Sequence, residues 1–144
     1  MIYLAIDPGL TTGLAWFDTR SEVFDSTEVQ GRYDLYDHLE VTWFELNAPN
    51  AVIIERWDVR KNTHQLTNQD DVRYIIGWVD GQCHRCRVPY HEQRPAEAKK
   101  FATDDKLKAL GWYKGGFGHA DDAARHLLVF LAKIRLASIL EKIV

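Results

Sequence analysis

Three stretches of the chain carry side chains able to do hydrolytic chemistry. Asp7 closes the apolar run Ile2-Tyr3-Leu4-Ala5-Ile6 and stands just before Pro-Gly-Leu-Thr-Thr-Gly. Glu55 closes a second apolar run, Ala51-Val52-Ile53-Ile54, and His119-Ala-Asp121-Asp122-Ala-Ala opens a helix near the C-terminus. In open α/β sheets, sites gather beyond the carboxyl ends of strands, where Asp7 and Glu55 both fall. His119 and Asp122 are three apart on a helix, so they share a face and can meet one ligand. An acidic first turn also serves as a cap, but a cap alone does not call for two adjacent Asp and a His beside a Gly-rich entry. Hard oxygen donors of this kind suit Mg²⁺, which keeps several waters and is commonly held by a few carboxylates plus substrate phosphate. Two such ions roughly 3.5–4 Å apart activate a water and stabilise the leaving oxygen in phosphodiester cleavage.

The elements that must position these groups follow from the hydrophobic pattern. Ile2 to Ile6 reads as a strand covered on both faces, Gly13 to Asp18 as a second strand after a turn at Pro8-Gly9, and Glu22 to Val29 as a third, which completes an antiparallel meander. Arg32 to Leu46 has helical spacing of apolar residues up to Pro49, and Ala51 to Ile54 is a short buried strand. Gln65 to Asp80 reads as a helix with Val72, Ile75, Ile76 and Val79 on one face. Arg87 to Tyr90 reads as a strand and Pro95 to Ala102 as a helix with Pro in its first turn, while Lys106 to Gly118 is read as irregular. From His119 onward Ala123, Leu127, Phe130, Leu131 and Ile134 mark the core face of what should be the longest helix. The order β-β-β-α-β-α-β-α-α predicts an α/β domain with a mixed sheet.

With 144 residues, a single domain over 1–144 is expected. No apolar run approaches the ~20 residues that span a bilayer, the N-terminus lacks a basic signal-peptide region, and two Cys are too few for a disulfide scaffold, so a cytoplasmic location is expected. The net charge of −3 argues against a nucleic-acid partner only if charge is evenly spread. It is not: residues 1–54 carry two basic and nine acidic groups, net −7, and residues 55–144 carry sixteen basic and twelve acidic, net +4.

Taken in order, Ile6-Asp7-Pro8-Gly9-Leu10-Thr11-Thr12-Gly13-Leu14-Ala15, Ile53-Ile54-Glu55 and His119-Ala-Asp121-Asp122-Ala-Ala resemble the RuvC-type Holliday junction resolvases of the RNase H-like superfamily, which have relatives among bacteriophages. Arg73-Tyr74-Ile75-Ile76-Gly77 and Arg94-Pro95-Ala96-Glu97-Ala98-Lys99-Lys100 look like further segments of that family. The resemblance implies an RNase H-like fold with a five-stranded mixed sheet flanked by helices. It further implies a homodimer that cuts symmetrically related strands of a four-way DNA junction in recombination and repair. It carries the metal set to Asp7, Glu55, His119 and Asp122, with Asp121 in second rank, and two Mg²⁺ per site that Mn²⁺ can replace. On this reading Asp7 bridges the two ions, Glu55 and Asp122 each hold one, and His119 binds metal or positions water. The segment Asp104 to Gly118 is compressed relative to the family, which leaves flaps, forks or other branched DNA as an alternative substrate.

Several other groups bear on DNA. Arg56, Trp57, Arg60 and Lys61 follow Glu55 directly and suit phosphate contact and base stacking, against the alternative of a solvated loop with Trp57 in the core. Lys99, Lys100, Lys106, Lys108 and Lys114 add positive charge near the same end. Trp112, Tyr113 and Phe117 lie among glycines, as loop aromatics or core anchors. Cys83-His84-Arg85-Cys86 with His91 lacks the second ligand pair a closed zinc site needs, so unpaired thiols are expected. Tyr74 and Trp78 beside the apolar face of the 65–80 helix offer a surface for the dimer that the resemblance implies. A competing class, the ATP-binding actin and sugar-kinase superfamily, shares a phosphate loop like Asp7 to Gly13. It generally needs more than twice this length and a second loop that the sequence lacks.

Overall fold

The computed structural model describes residues 1–57, 69–115 and 118–144. Arg60, Lys61 and Phe117, and the helix start expected at Gln65, lie outside them. Five strands form one sheet: β1 (Ile2–Asp7), β2 (Thr11–Asp18), β3 (Val23–Gln30), β4 (Ala51–Glu55) and β5 (Tyr90–Gln93). Their spatial order is β3-β2-β1-β4-β5. The β1–β2 and β2–β3 pairs are antiparallel, whereas β4 pairs parallel to β1 and β5 parallel to β4. This is the mixed five-stranded sheet that the resemblance implies.

Helices cover both faces of the sheet. Side chains alternate along β1 and β4, so Leu4, Ile6, Val52 and Ile54 face one way and Ala5 and Ile53 the other. The first set joins Leu35 of α1 (Arg32–His38), Leu39, Trp43 and Phe44 of a π-helical segment (Leu39–Glu45), and Ile75, Val79 and Cys83 of α2 (Gln69–Cys86). The second set packs with Ala15 and Phe17 of β2 against α5 (Gly118–Lys133), with α3 (Pro95–Phe101), α4 (Asp104–Leu110) and α6 (Ala137–Ile143) around it. Continuing the same alternation puts Asp7 and Glu55, each two residues on, toward α5.

Several boundaries depart from the sequence reading. The helix expected over 32–46 changes to π winding at Leu39, and the wider turn brings both Trp43 and Phe44 onto the sheet with Leu39. The helix expected to end at Asp80 runs on to Cys86, because Val79 and Cys83 extend the buried stripe, and Arg87 at φ 56° ends it. The following strand therefore lies at Tyr90–Gln93 and not at 87–90. Cys83 and Cys86 thus sit on the last turn of α2 as free thiols, and burial pushes the Cys83 thiol up to about 12, which suits neither thiolate chemistry nor metal.

The stretch expected to be irregular holds α4, capped by the Thr103 hydroxyl accepting from the Lys106 N–H at one end and by Gly111 at φ 74° at the other. Trp112 beyond it is a core anchor, stacked on Phe24 at 4.3 Å. The last helix stops at Lys133, Arg135 turns at φ 57°, and α6 follows; Ile134, expected in the core, is 43% exposed. At 18 residues α2, not α5 with 16, is the longest helix among the described residues. No helix among them is long and apolar enough to cross a membrane.

Candidate metal centre

The site is built where β1, β4 and the start of α5 meet. Ile6 and Ile54 are partners in the parallel ladder, so the next residues, Asp7 and Glu55, are neighbours on adjacent strands. Asp7 is paired with Gly13 across the antiparallel ladder, and Gly13 with Glu28 of β3. A Cβ on Gly13 would stand 1.8 Å from the carbonyl oxygen of His119, so only glycine lets α5 begin this close to β2. Glu28 then fixes that beginning: its Oε1 accepts the backbone N–H of His119 at 3.1 Å and of Ala120 at 3.4 Å. A carboxylate on the unpaired N–H groups of a helix start is a favourable cap. Replacing Glu28 by Ala is expected to cost about 1 kcal/mol of stability, the usual value of a lost cap, measured by urea denaturation.

Four of the anticipated groups come together here. His119 Nδ1 lies 3.2 Å from Asp7 Oδ2, with the His119 side chain 52% exposed and the Asp7 side chain 10%. Burial is the main cause that raises the Asp7 carboxyl from the usual carboxylate range to about 9; the negative charges of Glu55 and Asp122 add to it, and Lys99 opposes it. Asp122 also stands 3.5 Å from Arg125 Nε, and Arg125 donates from Nη1 to the Ala102 carbonyl at 2.7 Å and from Nη2 to Asp104. Glu55 Oε2 lies 2.9 Å from His126 Nε2.

Asp121 is placed differently. It is buried, and its two oxygens accept the backbone N–H groups of Lys114 and Gly115, each at 2.9 Å. Its carboxylate ties the loop before α5 to the helix.

The donor set fits a hard divalent cation by its chemistry and its charge. Asp7 is a buried carboxyl beside two other carboxylates, and a cation there would offset their mutual repulsion. Among the described residues no three His, Cys, Asp or Glu side chains form a ready-made cage. That is compatible with Mg²⁺, whose shell is completed by water and phosphate.

Several cations flank the site. Lys99 and Lys100 are exposed on α3, and Arg56 is exposed after β4 with its N–H donating to the Gln93 carbonyl at 2.7 Å. Trp57 is half-buried and carries the Arg73 guanidinium 4.4 Å over its ring. Lys114 Nζ is bonded to Asp25 and to the Ser26 carbonyl, and Lys106 Nζ donates to the Phe101 carbonyl at 3.0 Å while lying over the Phe101 ring. These two lysines, expected at DNA, are engaged within the chain.

Glu28, Gln93, Arg125 and His126 were not singled out by sequence reasoning. His126 had a signal, since it follows His119 by seven and Asp122 by four on the same helical face. Glu28 and Gln93 reach the site only through strand register, which no local pattern specifies.

The fold is similar to that of Thermus thermophilus RuvC in complex with Holliday junction substrate, with a TM-score of 0.67, 18% identity, and 94% of this chain and 96% of that chain covered. A second Thermus thermophilus RuvC structure matches at a TM-score of 0.59 and 19% identity, over 93% of this chain and 96% of that one. No protein-family model and no curated protein matches the sequence.

Proposed function

We propose that this chain is a Mg²⁺-dependent, structure-selective DNA endonuclease that resolves four-way junctions in recombination and repair. The observation that carries the reading is Asp7. It is a buried strand-end carboxylate, flanked by Glu55, Asp122 and His119, in a chain whose fold matches a junction-bound RuvC along nearly its whole length. Residues 1–144 act as one nuclease domain in the cytoplasm, or in the host cytoplasm if the gene belongs to a bacteriophage.

Asp7, Glu55 and Asp122 would hold the metal, with His119 as a further ligand or as the group that positions the attacking water. When bound, two Mg²⁺, or Mn²⁺ in their place, would supply Lewis acidity at the scissile phosphate. Asp7, flanked by both other carboxylates, is the residue suited to bridge. The half-exposed His119 ring, held at Asp7 Oδ2, is oriented by a buried group while remaining open toward substrate. Arg56, Trp57, Lys99 and Lys100 suit contact with phosphate and bases around the cut, and Arg60 and Lys61 extend that set. Binding should weaken steeply with salt, because each phosphate contact releases counterions. Tyr74, 57% exposed on α2, and Trp78, stacked on Tyr36 at 4.6 Å, suit a homodimer through the 65–80 helix.

A panel of labelled four-way junction, flap and linear duplex with Mg²⁺ tests substrate choice. Junction cutting in paired, symmetric positions is expected. Preferential flap cutting would retain the chemistry and replace the substrate, and no cutting of any branched DNA would overturn the reading. Sedimentation showing a monomer with junction bound would overturn the dimer.

A further inference from the structure

We infer that His126 is a positioning residue for Glu55: it fixes the carboxylate so that one oxygen, Oε1, is presented to the metal. The inference rests on the nuclease reading above and deepens it.

His126 is 1% exposed on α5, among Ala123, Ala124, Leu127 and Leu128, all of them buried. An imidazole in such surroundings is costly unless both ring nitrogens find partners. Both do: Nε2 lies 2.9 Å from Glu55 Oε2, and Nδ1 lies 3.0 Å from Gln93 Oε1. A carboxylate oxygen accepts, so Nε2 donates to Glu55, and the Gln93 amide meets Nδ1 either with its oxygen, accepting from a second ring proton, or, turned end for end, with its NH2 donating to the Nδ1 lone pair. Glu55 and Gln93 are ladder partners on β4 and β5, so the ring is held by two adjacent strands and cannot turn without losing a bond. Gln93 itself is buried, and its backbone carbonyl accepts from Arg56 on the strand extension, which keeps it in place.

The core does not need this bridge for cohesion. Fifteen buried apolar residues already join α5 to its face of the sheet and the surrounding helices. A leucine at 126 would bury as well as its neighbours at 127 and 128. What leucine cannot do is select the Glu55 rotamer. The bond to Oε2 leaves Oε1 as the oxygen without that partner, on the residue next to Asp7. Outer hydrogen bonds of this kind orient metal ligands, and losing one typically costs about 10- to 100-fold in metal affinity.

The test is Mn²⁺ binding to the DNA-free protein, followed by electron paramagnetic resonance, in the parent, His126→Leu and His126→Gln. His126→Leu should bind Mn²⁺ about 10- to 100-fold more weakly. His126→Gln, whose amide restores a donor toward Glu55, should recover most of that loss while cleavage recovers in parallel. If His126→Leu does not fold, Gln93→Met, which leaves the imidazole but removes its Nδ1 partner and so frees the ring to turn away from Glu55, should lower Mn²⁺ affinity in the same direction. A folded His126→Leu or Gln93→Met protein that binds Mn²⁺ like the parent overturns the role, as does a His126→Gln protein no better than His126→Leu. A parent that neither binds Mn²⁺ nor cuts DNA overturns the nuclease reading itself, which is a separate outcome.

Discussion

Asp7→Asn is expected to abolish cleavage and, in the absence of metal, to stabilise the protein at neutral pH. The loss of rate should be roughly 10³-fold or more, the upper end for removing one electrostatic group from a reacting centre. The gain in stability follows from the same carboxyl. Burial, reinforced by the charges of Glu55 and Asp122, raises it to about 9 in the folded chain from an ordinary 3.8. The folded metal-free protein therefore keeps a proton that the unfolded chain has released. Stability must fall as pH rises between about 4 and 9, by at most ~1.4 kcal/mol per pH unit for one proton, and level off outside that window. Asn carries no such proton, so its curve should lack this slope, and added Mg²⁺ should stabilise the parent more than the variant. Thermal unfolding in EDTA from pH 5 to 8 reads the difference. Superimposable curves for parent and variant would show that the Asp7 carboxyl does not hold a proton in the folded chain that the unfolded chain releases.

Gly13→Ala carries the second large effect, and it acts through packing. The new Cβ would fall 1.8 Å from the His119 carbonyl oxygen and 2.2 Å from its carbonyl carbon. Both are backbone atoms, so no flexible side chain can yield; the start of α5 or the β2 strand must move. Over-packing of this severity is expected to cost about 3 kcal/mol, at the upper end of such changes. The movement also separates His119 from Asp7, which pairs with Gly13 across the ladder, so cleavage should fall even where the variant remains folded. Denaturant unfolding and single-turnover cleavage measure the two parts. A stability change under about 0.5 kcal/mol, the scale of an inconsequential surface substitution, would contradict the close approach.

The residues that were legible in the sequence share one property: their placement is decided by local pattern. Asp7 and Glu55 end apolar runs, and parallel pairing of β1 with β4 then makes them neighbours. His119 and Asp122 are related by helical spacing. Groups whose placement depends on register escaped: Glu28 reaches α5 because β3 pairs with β2, and Gln93 reaches His126 because β5 pairs with β4. Short helices escaped for another reason. With seven residues each, α4 and α6 offer barely two turns of periodicity, and only Thr103 and Gly111 at the ends of α4 marked them. Charge was legible in distribution and not in partner, since Lys106 and Lys114 look like DNA contacts in the sequence and bond to groups of their own chain in the fold.

The acidic cluster also alters how the net charge of −3 bears on a DNA partner. Asp7, Glu55 and Asp122 face one another, and a divalent ion there would neutralise charge that otherwise repels phosphate. The most direct measurement of the central claim is cleavage of a labelled four-way junction by the parent protein, titrated with Mg²⁺ against an EDTA control. Paired cuts that appear only with Mg²⁺ or Mn²⁺ are predicted. An intact junction at every metal concentration, or cutting undiminished in EDTA, would contradict a metal centre at Asp7, Glu55 and Asp122.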